Sequence, residues 1–114
     1  MTEKVHLVRS DDLPMPLIYL AGPQDLADWY AQGLLHTLAQ GQRALSIGCF
    51  DTQAAFGFPN SQAAQAVLRA VTDVLYDHPE AEALTIFCSG EACWRAYRFC
   101  WNLWYAETKP EHDH

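Results

Sequence analysis

The chain has 114 residues, a formal net charge of −7, and apolar side chains at 50% of its positions. This length and apolar content suit a single domain with one hydrophobic core. The chain has fourteen acidic and seven basic residues. This balance argues against binding to a nucleic-acid backbone, because basic side chains are needed to neutralise the phosphate charge. The apolar runs are too short to cross a bilayer, so the sequence predicts no membrane association.

The opening residues, Met-Thr-Glu-Lys, predict no signal peptide, and we therefore expect a cytoplasmic protein. The cysteines do not form a pair of Cys-x-x-Cys units, which argues against a zinc site. We expect buried free thiols in a reducing compartment, and we predict no metal and no cofactor. The four cysteines are Cys49, Cys88, Cys93 and Cys100.

Four short apolar segments predict β-strands. Val5 to Val8 forms the first, and the run from Pro16 to Ala21 predicts a strand buried on both faces. Ala44 to Cys49 and Ala83 to Cys88 predict two further buried strands.

Helical patterns separate these strands. Asp25 is the predicted N-cap of a helix that continues to about Gln40, because apolar residues recur there every four positions. Asn60 or Ser61 is the predicted cap of a second helix, which ends near Asp77 because a proline follows. Strands that alternate with helices predict an α/β fold, a three-layer α/β/α arrangement around a small, mostly parallel sheet. We expect a single domain over residues 1–107 and a disordered polar tail over 108–114.

A third helix is predicted from Gly90 to about Glu107, with Ser89 as its cap. Its apolar face is broader than contact with one sheet requires. Two interpretations stay open: the helix is wedged between two elements, or part of it contacts another subunit. The aromatic residues predicted to form this interaction surface are Trp94, Tyr97, Trp101 and Trp104.

The stretch from Ser46 to Pro59 has the layout of a ligand site. A strand leads into a loop of small residues that ends in Phe-Gly-Phe-Pro, and a helix follows. In open α/β sheets, phosphate-bearing ligands bind beyond the carboxyl end of a strand, against the next helix's N-terminus. An alternative is that the loop is only a connection whose phenylalanines pack on the core. The predicted lining of a pocket is Gly22, Pro23, Asp51, Thr52, Gln53, Ala54, Ala55, Phe56 and Gly57.

Segments 17–23 and 46–59 together resemble the second half of a macro domain. In that family a strand ending in Gly-Pro precedes a helix, and a later strand and loop end in a Phe-Gly-Tyr-Pro-like signature. The following helix carries paired alanines, which are Ala63 and Ala64 in this chain. The resemblance runs roughly from Val5 to Tyr105 and is to a truncated, divergent member without the N-terminal part of the family pattern. It implies a macro-like fold and binding of ADP-ribose or a related nucleotide through loop 51–59.

Three functions follow as hypotheses. The first is a non-enzymatic module that acts by protein contact, as a homodimer or in a partner complex, and it requires no catalytic residue. The second is binding of ADP-ribose or another nucleotide. The third is an enzyme like the nucleoside deoxyribosyltransferases, because segment 18–23 also resembles that family's opening strand. That family uses a Glu nucleophile, whereas Asp51 is the only acid between Ala44 and Pro59.

Overall fold

Three short strands form a parallel sheet in the computed structural model of the protein, which describes residues 4–11 and 20–104. They are β1 (Val5–Arg9), β2 (Ala44–Cys49) and β3 (Ala83–Cys88). The strand order is β1-β3-β2, so the last strand in the sequence lies at the centre. The bounds of β2 and β3 are those predicted from the sequence.

The prediction that β2 is buried on both faces is wrong. It lies at one edge of the sheet formed by the described residues, and its side chains alternate between buried and exposed. The strand predicted from Pro16 to Ala21 falls largely outside the described residues. Its last two residues, Leu20 and Ala21, are described and belong to no strand, since they lead into the first helix.

The first helix, α1 (Pro23–Ala39), begins three residues earlier than predicted. Its N-cap is Gly22, and Pro23 occupies the first turn, where a missing N–H costs nothing. Asp25 is therefore not the cap; its carboxylate accepts a hydrogen bond from the Ala21 amide at 3.0 Å. The predicted apolar repeat does set the packing, because Leu26, Tyr30 and Leu34 are buried.

Three more helices complete the described fold: α2 (Thr52–Phe56), α3 (Asn60–Asp77) and α4 (Glu91–Trp104). The short helix α2 was not predicted. Helix α3 ends at Asp77 as predicted, but its N-cap is Pro59 rather than Asn60 or Ser61. Helix α4 begins at Glu91, one residue later than predicted, and is described as far as Trp104. The predicted polar tail, residues 108–114, lies outside the described residues.

The core lies on one side of the sheet. Helix α3 packs against both α1 and α4, and the buried residues of all three helices belong to one cluster with alternate residues of the strands. The fold is thus the predicted mixed α/β fold with a small parallel sheet. The strand residues in this core are Val5, Leu45, Ile47, Cys49, Leu84, Ile86 and Cys88.

Candidate functional site

The loop after β2 is organised by the carboxylate of Asp51. This side chain is the N-cap of α2, where its Oδ1 accepts from the Ala54 amide at 3.1 Å and from Asn60 Nδ2 at 2.9 Å. These bonds hold the pKa of Asp51 below its usual range, and the bond from Asn60 has the largest effect. The loop therefore carries a negative charge at neutral pH, at the position where a phosphate was expected.

Thr52 ties the same loop to the start of α3. Its amide donates to Asn60 Oδ1 at 2.9 Å, and its buried hydroxyl donates to the Phe58 carbonyl at 3.1 Å. Gly57 closes α2 in the left-handed conformation, with φ of 82°, which favours glycine. The amides of Thr52, Ala54 and Gly57 are thus engaged inside the loop.

The loop's phenylalanines pack against one another and the core. Phe56 stacks on Phe58 with ring centroids 5.7 Å apart, and its ring meets Phe50 edge-on at 5.8 Å. Phe50 and Phe58 are buried, so they fix the loop to the interior. This packing agrees with the interpretation of the loop as a connection.

The other predicted pocket residues lie in helix termini. Gly22 and Pro23 begin α1, whereas Gln53, Ala54 and Ala55 belong to α2. Gln53 and Ala54 are exposed, and the side-chain amide of Gln53 points back to the Gly57 carbonyl at 3.4 Å. Nucleotide binding by this loop stays a prediction, and so does the deoxyribosyltransferase-like activity.

The aromatic residues of α4 do not share one surface. Tyr97 is 1% exposed, so the prediction that it belongs to an interaction surface is wrong. Trp94 and Trp101 are half-buried against the core, and Trp104 is also half-buried. The apolar side chains that do face solvent are Phe99 and Leu103, which the sequence analysis did not single out.

Tyrosines and cysteines meet beneath the carboxyl ends of β2 and β3. Tyr30 donates a hydrogen bond to the Gly48 carbonyl, whereas the fully buried Tyr97 hydroxyl has no hydrogen-bond partner of normal geometry. The Cys49 thiol interacts with both hydroxyls, and burial raises its pKa to about 12. A thiol that stays protonated at neutral pH is a poor nucleophile. All four cysteines are buried and free, as predicted.

Within residues 4–11 and 20–104, no helix or strand covers the face of the sheet opposite the core, a feature that was not predicted from the sequence. In register across the strands, His6 lies beside Thr85 and Ser46, and Val8 lies beside Phe87 and Gly48. Val8 is 39% exposed, although it lies on a parallel sheet. His6, Ser46 and Gly48 are exposed too, and the central Thr85 and Phe87 are half-buried. We call this surface the open face; it consists of residues 6, 8, 44, 46, 48, 83, 85 and 87.

Charge is distributed unevenly around this face. None of its eight residues is an aspartate or glutamate, in a chain with 14 of them. The nearest ion pair along β1 joins Arg9 to Glu91 of α4 at 2.6 Å, and both side chains are about half exposed. That pair links β1 to the helix layer.

Two further features of the described residues bear on function. No group of His, Cys, Asp or Glu side chains among residues 4–11 and 20–104 is placed to hold a metal ion. No helix in that part of the chain has the length and hydropathy of a membrane span. Comparison with protein-family models gives no match, and comparison with curated proteins gives none either.

Proposed function

We propose that this protein is a non-enzymatic, macro-like module that functions by self-association, with the open face as the interface between two copies. The observation that carries the proposal is the exposure of that face. Parallel sheets are almost always covered on both sides, because their strands carry apolar residues on both. A second copy would supply the missing cover.

The chemistry of the open face suits this role. Val8 and Phe87 lie side by side in register and give it an apolar centre. Thr85, Ser46 and His6 form a neighbouring row that can make hydrogen bonds across an interface.

Electrostatics favours the same surface over the rest of the molecule. Two copies with a net charge of −7 each repel one another, and the repulsion is strongest where carboxylates face each other. A surface without carboxylates is where the copies can approach most closely. The four buried free thiols fit a reducing, cytoplasmic setting for this association.

The test is a substitution that places a carboxylate at the centre of the open face. We expect sedimentation velocity of the unmodified protein to give twice the 12.9 kDa chain mass at micromolar concentration. Val8→Glu should return a monomer, because each interface would then bury two unpaired charges. The matched control is Tyr76→Glu, since Tyr76 is 75% exposed on α3 and lies outside the open face. This control should remain a dimer.

A third variant separates this surface from the last helix. Leu103→Glu changes an exposed apolar residue of α4. If Leu103→Glu dissociates the dimer and Val8→Glu does not, then α4 is the interface and the proposed surface is wrong. A protein that is strictly monomeric at high micromolar concentration contradicts self-association altogether.

A further inference from the structure

The backbone N–H and C=O groups of β2 point alternately toward β3 and away from the sheet. The Arg43 carbonyl accepts from the Glu82 amide at 2.8 Å, and the Cys49 carbonyl accepts from the Ser89 amide at 2.9 Å, so both point toward β3. Successive residues of a strand direct their backbone groups to opposite sides. The residues whose N–H and C=O groups point away from the sheet are therefore Ala44, Ser46 and Gly48.

One of these outward groups has a partner. The Gly48 carbonyl accepts a hydrogen bond from the Tyr30 hydroxyl. The amides and carbonyls of Ala44 and Ser46, and the Gly48 amide, have no hydrogen-bond partner within the described part of the chain. Natural edge strands are commonly protected by lysine, proline or a bulge. The sequence of β2, Ala-Leu-Ser-Ile-Gly-Cys, contains neither lysine nor proline, and its pairing with β3 is continuous.

A groove of about 510 Å³ lies beside this edge, between α1 and β2. Its apolar wall includes Trp29, which is 43% exposed, together with Leu34 and Ile47. Gly33 widens the groove on the helix side, because open space lies where a Cβ atom would stand. An unpaired strand edge next to an apolar groove is the arrangement that proteins use to bind extended peptides.

The groove is also nearly free of charge. Aspartate, glutamate, lysine and arginine are missing from the described residues that line it, and its titratable side chains are Tyr30 and His36. A charged residue would lose hydration here without gaining an ion pair, whereas an uncharged one would not. The electrostatic match is therefore an uncharged segment.

We propose that an extended, uncharged peptide segment of a partner protein binds along the outer edge of β2 as a fourth strand. Its main chain would bond to Ala44, Ser46 and the Gly48 amide. One apolar side chain would enter the groove beside Trp29 and Gly33. The pairing would end at Gly48, because the Gly48 carbonyl already accepts a hydrogen bond from the Tyr30 hydroxyl. This site lies at the edge of the sheet rather than on the open face, and it does not depend on the proposed self-association.

The test uses NMR of the full chain with a defined set of probe peptides. The probes are acetylated, amidated hexapeptides in which threonine alternates with valine, leucine, phenylalanine or tryptophan. At millimolar peptide we expect the Ser46 and Gly48 amide resonances to shift and their hydrogen exchange to slow by about tenfold. The same peptides with N-methyl groups on alternate residues should have no effect, because they lack the donors.

A matched pair of variants links binding to the edge. Ser46→Pro removes an outward N–H and leaves the bonds between β2 and β3 intact, since proline is tolerated where the amide faces away from the sheet. It should weaken peptide binding by at least about tenfold, whereas Ser46→Thr should bind like the unmodified protein.

Three outcomes would overturn the proposal. In the first, no probe peptide affects the Ser46 and Gly48 amides. In the second, binding survives Ser46→Pro, or the outward Leu7 amide of β1 responds equally. In the third, these amides become protected as protein concentration rises without peptide, which would assign the edge to a second copy.

Discussion

The two faces of the sheet are built from the same three strands and yet differ in almost every respect. On the covered face Leu84, Ile86 and Cys88 are fully buried under the helices. On the open face the residues between them, Thr85 and Phe87, are only half-buried, and Val8 beside Phe87 is 39% exposed. The difference does not follow from hydrophobicity alone, because Phe87 is as apolar as Ile86 and Cys88, between which it lies. The packing of the helices, rather than the sequences of the strands, therefore determines which face of the sheet becomes part of the core.

The largest expected effect comes from truncation on the covered face. Leu84→Ala should lower the free energy of unfolding by about 2–5 kcal/mol, because it removes a fully buried side chain and leaves a cavity. Thr85→Ala, the neighbour on the open face, should change it by less than about 1 kcal/mol. Urea denaturation followed by circular dichroism measures both. Equal losses for the two variants would mean that both faces are packed alike.

The second largest effect on stability is expected in the loop at the carboxyl end of β2. Asp51→Ala removes a helix cap and the bond to Asn60, and should cost about 1 kcal/mol at pH 7. The pKa of Asp51 is lowered in the folded state, so this contribution is present above about pH 4 and is lost as pH falls through the folded value. Unfolding curves of the two proteins should therefore converge below pH 4. A constant difference down to pH 2 would show that the charge is irrelevant.

Tyr30 and Tyr97, on the covered side of the sheet, should contribute differently to the free energy of unfolding. Tyr30→Phe should cost about 0.5–1.5 kcal/mol, because it removes the bond to the Gly48 carbonyl. Tyr97→Phe should be neutral or stabilising, since it removes a buried hydroxyl that lacks a good partner. Thermal unfolding monitored by circular dichroism ranks the two variants. If Tyr97→Phe lowered the stability more than Tyr30→Phe, the Tyr97 hydroxyl would have a hydrogen-bond partner, such as an ordered water.

Local patterns were sufficient for most of the elements. The bounds of β2 and β3 follow from short apolar runs, and the end of α3 at Asp77 follows from the proline two residues later. The five-residue helix α2 was missed because it is too short for a periodic signal. Asp51 as a cap and Gly57 at the end of the same segment are the signals that could have revealed it.

The candidate site was harder to predict than the elements. The loop over residues 51–57 was predicted to line a ligand pocket, but Asn60, nine residues after Asp51, bonds to the Asp51 carboxylate and to the Thr52 amide. A bond over that distance has no signature in local sequence. The broad apolar face of α4 was correctly recognised, although only the packing shows that Tyr97 is interior and Phe99 exterior.

The sequence by itself determined the bounds of β2 and β3, the end of α3 and the apolar repeat of α1, since those depend on proline and on short apolar patterns that act between near neighbours. Only the tertiary structure decided that β2 lies at an edge, that one face of the sheet is open, and that a groove borders Trp29. These features depend on strand order and on where the helices pack. Both are set by contacts between residues far apart in the chain, which no local pattern records.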